Sequence, residues 1–169
     1  KKHLIPLWLP QVPCSFKLTE LPENEKSMMQ GSPFCVNCPA VVEDRVPVTI
    51  NPGRFTTETV TYRLPRVVQG TYSVSDFGKY IDDFKALDYD GNELAVTKDN
   101  TNTWTITDAT KLDKIQYYVN DTFDIEGGDQ PTPFSPSGTN IESDNYVLNL
   151  HGFVGYFDTL KTNSYVINV

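Results

Sequence analysis

Apolar and polar residues alternate along several short stretches after residue 45. Val46, Val48 and Ile50 are separated by Pro47 and Thr49, which gives the period of two that a half-buried β-strand shows. Because successive side chains of a strand point to opposite faces, this spacing sends the three aliphatic side chains to one face. The pattern predicts a strand. Pro47 cannot donate a backbone hydrogen bond, and it therefore predicts that this strand lies at a sheet edge.

The same alternation recurs at short intervals along the rest of the chain. Further strands are predicted at residues 59–64, 72–77, 81–89, 93–98, 103–107, 114–119 and 165–169, and a largely apolar run covers 146–157. Asp90-Gly91 lies between two alternating runs and predicts a hairpin turn, because both residues tolerate positive φ. Residues 126–140 contain two consecutive glycines and three prolines, and they predict a long loop.

No stretch of ten residues shows a convincing helical period. Residues 76–84 and 108–112 are each predicted to supply a single helical turn. Short strands separated by turn signals are typical of antiparallel sheets. We therefore expect an all-β domain, either an antiparallel β-sandwich or a curved sheet, with at most one or two short helical turns.

The first part of the chain differs from the rest in composition. Residues 1–45 carry six of the prolines and all three cysteines, and they show little periodicity. This composition predicts an irregular N-terminal arm over 1–45 that wraps a neighbouring surface. The antiparallel β domain is then predicted to occupy residues 46–169.

The charge of the chain excludes two classes of partner. The 169 residues include 14 Lys and Arg against 22 Asp and Glu, which gives a formal net charge of −8. A protein that binds nucleic acid normally shows a basic patch or stripe, and an anionic membrane surface attracts basic segments. The sequence therefore predicts neither partner. It also contains no apolar run of about 18 residues, so it predicts no membrane span.

Cys35 and Cys38 form a Cys-x-x-Cys motif, and Cys14 is the third cysteine. Prolines on both sides of the motif favour a loop, whereas a thioredoxin-type redox pair lies between a strand and a helix. The loop context favours a local disulfide between Cys35 and Cys38, or free thiols. A zinc site completed by Cys14 and His3 is the alternative that the spacing leaves open.

The residues show no constellation that acid–base or nucleophilic catalysis needs. The two histidines, His3 and His151, belong to no His-Glu-x-x-His motif, and the sequence contains no Gly-x-Ser-x-Gly elbow or glycine-rich phosphate loop. His151 lies in an apolar run, where a histidine is more often a hydrogen-bonded core residue than a base or ligand. We therefore predict no catalytic residue and no metal site in this chain.

Two weaker patterns have simpler interpretations. Residues 88–99 resemble a calcium-binding loop, but Gly91 stands fourth instead of sixth, so a hairpin turn is favoured. Trp8 and Trp104 would suit a carbohydrate-stacking platform, but Trp104 alternates with Ile106 as core residues do. A stand-alone carbohydrate- or protein-binding β-sandwich, with exposed aromatic side chains such as Tyr89, is the alternative function.

Several segments, in order and spacing, carry a family resemblance. They are VVQGTYSVSDF at 67–77, FKA at 84–86, DGNEL at 90–94, NTWTI at 102–106, IQYYV at 115–119, GTN at 138–140 and LNLHGFVGYF at 148–157. From about Val46 onward the chain resembles the N-terminal domain of the glycyl aminopeptidases, zinc metallopeptidase family sixty-one. Gln69 departs from the family's pattern, which usually has proline there, and the first 45 residues do not match.

The resemblance implies a role beside an enzyme rather than catalysis. In that family the zinc-binding helix lies in a later catalytic domain, so zinc is implied for the parent enzyme and no cofactor for this chain. The chain would brace that domain and help shape its substrate cleft, and it would meet a peptide substrate only indirectly. The resemblance also implies a secreted, periplasmic or cell-surface location.

The partner implied by the resemblance is the catalytic domain of the same polypeptide. The predicted loop 126–140 is our candidate for the face toward it, with Phe134, Gly138, Thr139 and Asn140 as candidate interdomain contacts.

Within the matching segments, Tyr72 and Phe77 are expected to fill one edge of the core. Gly70 is expected to permit a tight turn. Gly152 and Gly155, in an apolar run, are expected to mark a bulge or a close approach of another piece of backbone, such as a crossing sheet or domain.

Overall fold

The structure, a computed structural model, describes residues 34–37, 45–122, 137–141 and 146–168. Its strands are β1 (Phe34–Asn37), β2 (Arg45–Asn51), β3 (Thr59–Arg63), β4 (Ile81–Asp88), β5 (Glu93–Leu94), β6 (Val96–Asn100), β7 (Thr103–Thr107), β8 (Leu112–Asn120), β9 (Asn140–Ile141), β10 (Tyr146–Val147), β11 (Tyr156–Phe157) and β12 (Tyr165–Asn168). The helical elements in the described ranges are single 3-10 turns, and none of them is long or apolar enough to cross a membrane.

Two large sheets and a small ladder make up the described part of the chain. The first sheet has the order β12-β1-β2-β8-β4-β5, the second has the order β11-β3-β7-β6, and β9 pairs with β10. Every described pairing is antiparallel except that of β1 with β12. The chain passes from the first large sheet to the second between β2 and β3 and again at Ala95, between β5 and β6, and it returns to the first sheet before β4 and before β8.

The inward faces of the two large sheets share one core. Buried side chains alternate with half-buried ones along β2 and β8, as the period of two predicts. The core includes Val46, Val48, Ile50, Val60, Tyr62, Trp104, Ile106, Ile115, Tyr117 and Val119. Burying one large apolar side chain stabilises the fold by about 1.5–3 kcal/mol before entropy is counted. The predicted all-β antiparallel sandwich is therefore confirmed.

Most predicted elements are found, with differences at several of them. The predicted strand 93–98 is divided between β5 and β6. Two 3-10 turns, Phe77–Tyr80 and Ala109–Lys111, lie where single helical turns are predicted, and two more occur at Leu150–Gly152 and Asp158–Leu160. The hairpin at Asp90-Gly91 is confirmed, with Gly91 at φ +85° and the Asp88 carboxylate accepting the Asp90 and Asn92 amides.

A bulge in β4 brings an aromatic ring into the core. The register of β4 against β8 shifts between Asp82 and Lys85, and Asp83 has φ 51°. The extra residue leaves Asp82 and Asp83 exposed and turns the following Phe84 inward. Phe84 stacks on Trp104 of the opposite sheet with a centroid distance of 4.8 Å.

Trp104 itself is only 2% exposed, so its predicted core role is confirmed. The carbohydrate platform would have needed its ring at the surface. Its proposed partner Trp8 lies outside the described residues.

The prediction that β2 is an edge strand is wrong. β2 lies between β1 and β8 in the six-stranded sheet. β1 is in register only with Thr49, Ile50 and Asn51, so Pro47 belongs to no described pair on that side. The missing amide hydrogen of Pro47 is therefore tolerated within an inner strand.

Residues 72–77 do not form the predicted strand. Tyr72 and Asp76 adopt left-handed backbone conformations, with φ 53° and 49°, which interrupt an extended chain. Tyr72 is fully exposed, so its predicted place at the edge of the core is wrong, whereas Phe77 is buried as predicted.

Close backbone contacts explain why the apolar run 146–157 is not one strand. A Cβ at Gly155 would lie 2.1 Å from the Arg63 carbonyl oxygen, and one at Gly152 would lie 3.1 Å from the Phe77 ring. The close backbone approach predicted for Gly155 is confirmed, whereas the near neighbour of Gly152 is a side-chain ring and not backbone. His151 lies in the 3-10 turn Leu150–Gly152 and is exposed, so its predicted place as a core residue is wrong.

Two buried tyrosines connect the two large sheets to residues 152–155, which we call the glycine segment. Tyr62 of β3 and Tyr117 of β8 place their hydroxyl oxygens 2.8 Å apart. The Gly155 amide donates to the Tyr62 hydroxyl at 2.8 Å, and the Tyr117 hydroxyl donates to the Phe153 carbonyl oxygen. Since Tyr117 uses its one proton on Phe153, Tyr62 donates to Tyr117. We call this chain of hydrogen bonds the tyrosine relay.

An ion pair at the surface supports the same junction. The Arg63 Nε donates to both carboxylate oxygens of Asp158, at 3.1 and 2.9 Å, and the Lys161 Nζ lies 3.3 Å from that carboxylate. Partial burial by itself would raise the pKa of Asp158, but the hydrogen bonds from Arg63 and Lys161 outweigh it, and the pKa lies below its ordinary value of 3.8.

Replacing Tyr117 by Phe is expected to lower the free energy of unfolding by about 1–3 kcal/mol, because it leaves the buried Phe153 carbonyl without its donor. Urea denaturation measures the change. Tyr118→Phe is the matched control, since Tyr118 points to the outer face and its hydroxyl has no hydrogen bond among the described residues. Equal stability of the two variants would contradict the relay.

Asp158→Asn is expected to lower the free energy of unfolding at pH 7 by up to about 1 kcal/mol, as for a partly exposed ion pair. The depressed pKa means that the carboxylate contributes stability above its ordinary pKa and loses that contribution as pH falls through its folded pKa. The difference between wild type and variant should therefore be complete at pH 6 and shrink below about pH 4. A difference that does not depend on pH would refute the role of the charge.

Candidate interdomain surface

The loop between β3 and the first 3-10 turn, residues 65–76, carries three exposed large apolar side chains, more than any other described segment of similar length. Val67 is 44% exposed, Val74 is 45% exposed and Tyr72 is fully exposed. We call this segment the 65–76 loop. An exposed large apolar side chain is ordinary when it stands alone, whereas three on one short loop suggest a contact surface.

Hydrogen bonds close the base of the 65–76 loop. The amides of Ser75 and Asp76 both donate to the Arg66 carbonyl oxygen at 3.0 Å, and the Phe77 amide donates to the Pro65 carbonyl at 3.3 Å. The Arg66 Nε lies 3.4 Å from the Asp76 carboxylate. The loop therefore leaves and rejoins the body of the domain at one braced point.

A buried asparagine connects this base to the four-stranded sheet. The Asn102 amide nitrogen donates to the Asp76 carboxylate at 2.8 Å, and its side-chain oxygen accepts from the Gly78 amide at 2.9 Å. A Cβ at Gly78 would lie 2.0 Å from the Thr101 carbonyl oxygen, so glycine is required for this approach. Within the loop, Gly70 has φ +91° and supplies the predicted tight turn.

An open cleft of about 550 Å³ lies beside the loop, at one end of the four-stranded sheet. Its described lining residues come from the end of β3, the start of the 65–76 loop, the turn between β6 and β7, and β11. They are Arg63, Leu64, Pro65, Arg66, Val67, Asn100, Asn102, Thr103 and Tyr156. The cleft and the loop thus form one continuous surface that shares residues 65–67.

The predicted interdomain contacts lie elsewhere, and their side chains are mostly internal. Gly138 and Thr139 are buried, and Asn140 is half-buried. The Thr139 carbonyl oxygen accepts from the amide and the hydroxyl of Thr122, both at 3.0 Å. Phe134 lies outside the described residues. Contact of this segment with another domain stays a prediction, and Asn140 is its most accessible described member.

The cysteine predictions are only partly within the described structure. Cys35 belongs to β1, in register with Val166 of β12 and Asn51 of β2. Cys14 and Cys38 lie outside the described residues, so the disulfide between Cys35 and Cys38 stays a prediction.

The shifted pKa values among the described residues move away from neutrality. Burial raises the pKa of Tyr80 to about 12, and it also raises the pKa values of Tyr62 and Tyr165. Hydrogen bonds from Asn92 lower the pKa of Asp88, and the hydrogen bond to Glu93 raises the pKa of Lys85. Each shift keeps the side chain in its usual charge state at neutral pH.

Nor do the described residues bring together three or more His, Cys, Asp or Glu side chains that would hold a metal ion.

Comparison with known proteins identifies the family of this chain and a solved structure of similar fold. The family model described as the Peptidase M61 N-terminal domain matches residues 34–169. A crystal structure of an aminopeptidase N family protein from Idiomarina loihiensis has a similar fold, with a TM-score of 0.61 and 15% identity over 75% of this chain. This chain spans about 20% of the length of that one. No curated protein matches the sequence. Since the family model covers most of the sequence, the chain belongs to the Peptidase M61 N-terminal domain family.

Proposed function

We propose that this chain is a non-catalytic docking domain, which braces the catalytic domain of a longer peptidase and helps shape its substrate cleft. The observation that carries the proposal is the 65–76 loop, which presents three exposed apolar side chains on a hydrogen-bonded base. The partner is the remainder of the same polypeptide. The similar aminopeptidase N family chain is about five times the length that this chain matches, which leaves room for such a partner.

The backbone of Tyr72 supports a contact function for the loop. A non-glycine residue in the left-handed region costs about 1–2 kcal/mol. Tyr72 has φ 53°, yet its fully exposed side chain gains no burial within this chain. Tyrosine is also among the residues that contribute most to protein interfaces, because it buries much area and loses little rotamer entropy. A partner that buries Tyr72 would offset the cost of its conformation.

The electrostatics support a role without chemistry of its own. The shifted pKa values reinforce ordinary charge states, whereas catalytic acids and bases usually have pKa values tuned toward the working pH. We propose that zinc and the groups that use it belong to the partner domain. We also propose a secreted, periplasmic or cell-surface location, in which a disulfide between Cys35 and Cys38 would be stable.

Tyr72→Asn tests the docking role, because asparagine tolerates the left-handed conformation while it removes the aromatic ring. The stability of the isolated chain should change by less than about 0.5 kcal/mol, as for an exposed site without partners. Its affinity for the separately produced remainder of the parent polypeptide should fall at least about tenfold, as for the loss of an interface tyrosine. Calorimetric titration and denaturation measure the two effects.

Tyr89→Asn is the matched control, since Tyr89 is 49% exposed and lies on the β4–β5 hairpin. It should leave the affinity unchanged. Unchanged affinity in the Tyr72 variant, or an equal loss in both variants, would rule out the 65–76 loop as the docking surface.

A further inference from the structure

We propose that the cleft beside the 65–76 loop binds the side-chain carboxylate of an Asp or Glu residue presented by the partner domain. This inference rests on the proposed docking function and adds the chemistry of one contact. Three observations support it. Residues that line the cleft carry hydrogen-bond donors without a described partner, and no acidic residue is among the described lining. Two carboxylates outside the lining, those of Asp158 and Asp76, contact the Nε atoms of the two lining arginines.

Two guanidinium groups supply most of the donors. The Arg63 Nε is used on Asp158 and its Nη1 donates to Thr103 Oγ1 at 3.1 Å, which leaves Nη2 with no partner among the described residues. The Arg66 side chain is 68% exposed, its Nε lies 3.4 Å from the Asp76 carboxylate, and its terminal nitrogens make no hydrogen bond among the described residues. Both terminal nitrogens of Arg66 are therefore available.

Two neutral groups add donors at the same cleft. The Asn100 side-chain oxygen accepts from the Asn102 amide at 3.0 Å, and its amide nitrogen has no hydrogen bond within the described part of the chain. The Tyr156 hydroxyl likewise has no hydrogen bond among the described residues. Lys161 Nζ lies 5.3 Å from the centroid of the Tyr156 ring. Four residues that line the cleft thus carry donors without a described partner, and no Asp or Glu is among the described lining residues.

The described lining of the cleft lacks the acidic residues that dominate the charge of the chain. The sequence has a net charge of −8, yet two arginines and no Asp or Glu are among the described lining residues. Asp158 and Asp76 contact the Nε edges of these arginines and are not themselves part of the lining. Hydrogen bonds to Asp158 and Thr103 orient the Arg63 guanidinium, and both arginines keep nitrogen donors for a second, incoming acceptor. A guanidinium pairs well with a planar carboxylate because its donors form a matching fork.

The donor types favour a side-chain carboxylate over the carboxylate of a chain end. Capture of a chain end commonly uses backbone amides arranged in a nest. Here Pro65 has no amide hydrogen, and the Leu64 amide already donates to the Asn102 carbonyl at 2.9 Å. The available donors are side chains that can meet a carboxylate arriving on a neighbouring surface.

The test is an NMR titration of the isotope-labelled chain at constant ionic strength. The probes are N-acetyl-glutamate methylamide, its glutamine analogue, N-acetyl-glycylglycine with a free chain end, and inorganic phosphate. We expect saturable shifts of the Arg66, Asn100 and Thr103 signals with the glutamate probe, in the millimolar range, and none with the glutamine analogue. Arg66→Gln should weaken glutamate binding at least about tenfold, because it removes a charge-assisted hydrogen bond.

Arg54→Gln is the matched control, since Arg54 is an exposed arginine that lies over the Tyr89 ring instead of at the cleft. It should bind the glutamate probe as wild type does. Absence of saturable shifts, stronger binding of phosphate or of the free chain end, or equal losses in the two variants would overturn the proposal.

These outcomes are separable from those of the docking test. Affinity for the remainder of the polypeptide is measured through Tyr72, which does not line the cleft. If that affinity depends on Tyr72 while the glutamate probe fails to bind, docking stands and the carboxylate contact falls. If the probe binds while Tyr72 has no effect, the cleft stands as a carboxylate site and the proposed docking surface is wrong.

Discussion

The tyrosine relay is the contact on which the remaining geometry depends. It joins one strand from each large sheet to the glycine segment that precedes β11, and it gives buried polar atoms of all three pieces a partner. β11 pairs with β3 through Phe157 opposite Tyr62 and Tyr156 opposite Arg63. The contact that closes the core therefore also brings together Arg63 and Tyr156, two of the residues that line the cleft.

The proposed docking surface combines a stable framework with side chains that lack burial or hydrogen-bond partners among the described residues. The framework consists of the sheet ends, the hydrogen bonds from Asn102 and the closed base of the 65–76 loop. This framework carries Tyr72, which is exposed and has a costly backbone conformation. It also carries Arg63 and Arg66, whose guanidinium groups have nitrogen donors without a described partner. A surface held in place before binding loses less entropy on association, so such an arrangement suits a permanent neighbour in one polypeptide.

The sequence allowed prediction of the sandwich and of most strands, because a period of two in apolar residues is visible without any long-range information. It misled where distant contacts decide the conformation. Residues 72–77 alternate like a strand, but hydrogen bonds to Arg66 and left-handed residues bend them into a loop that exposes Tyr72. His151 is exposed because the backbone forms a 3-10 turn at Leu150–Gly152, which an apolar composition does not reveal. The cleft joins four separate segments, and no local pattern indicates it.

The tyrosine relay is expected to hold the two large sheets and the glycine segment together as one cooperative unit. Native-state hydrogen exchange of the Gly155 amide, which donates to the buried Tyr62 hydroxyl, tests this most directly. The account predicts that this amide exchanges only through global unfolding, with the same opening free energy as the central amides of β3 and β8. Exchange through a local opening, with those strand amides still protected, would contradict it.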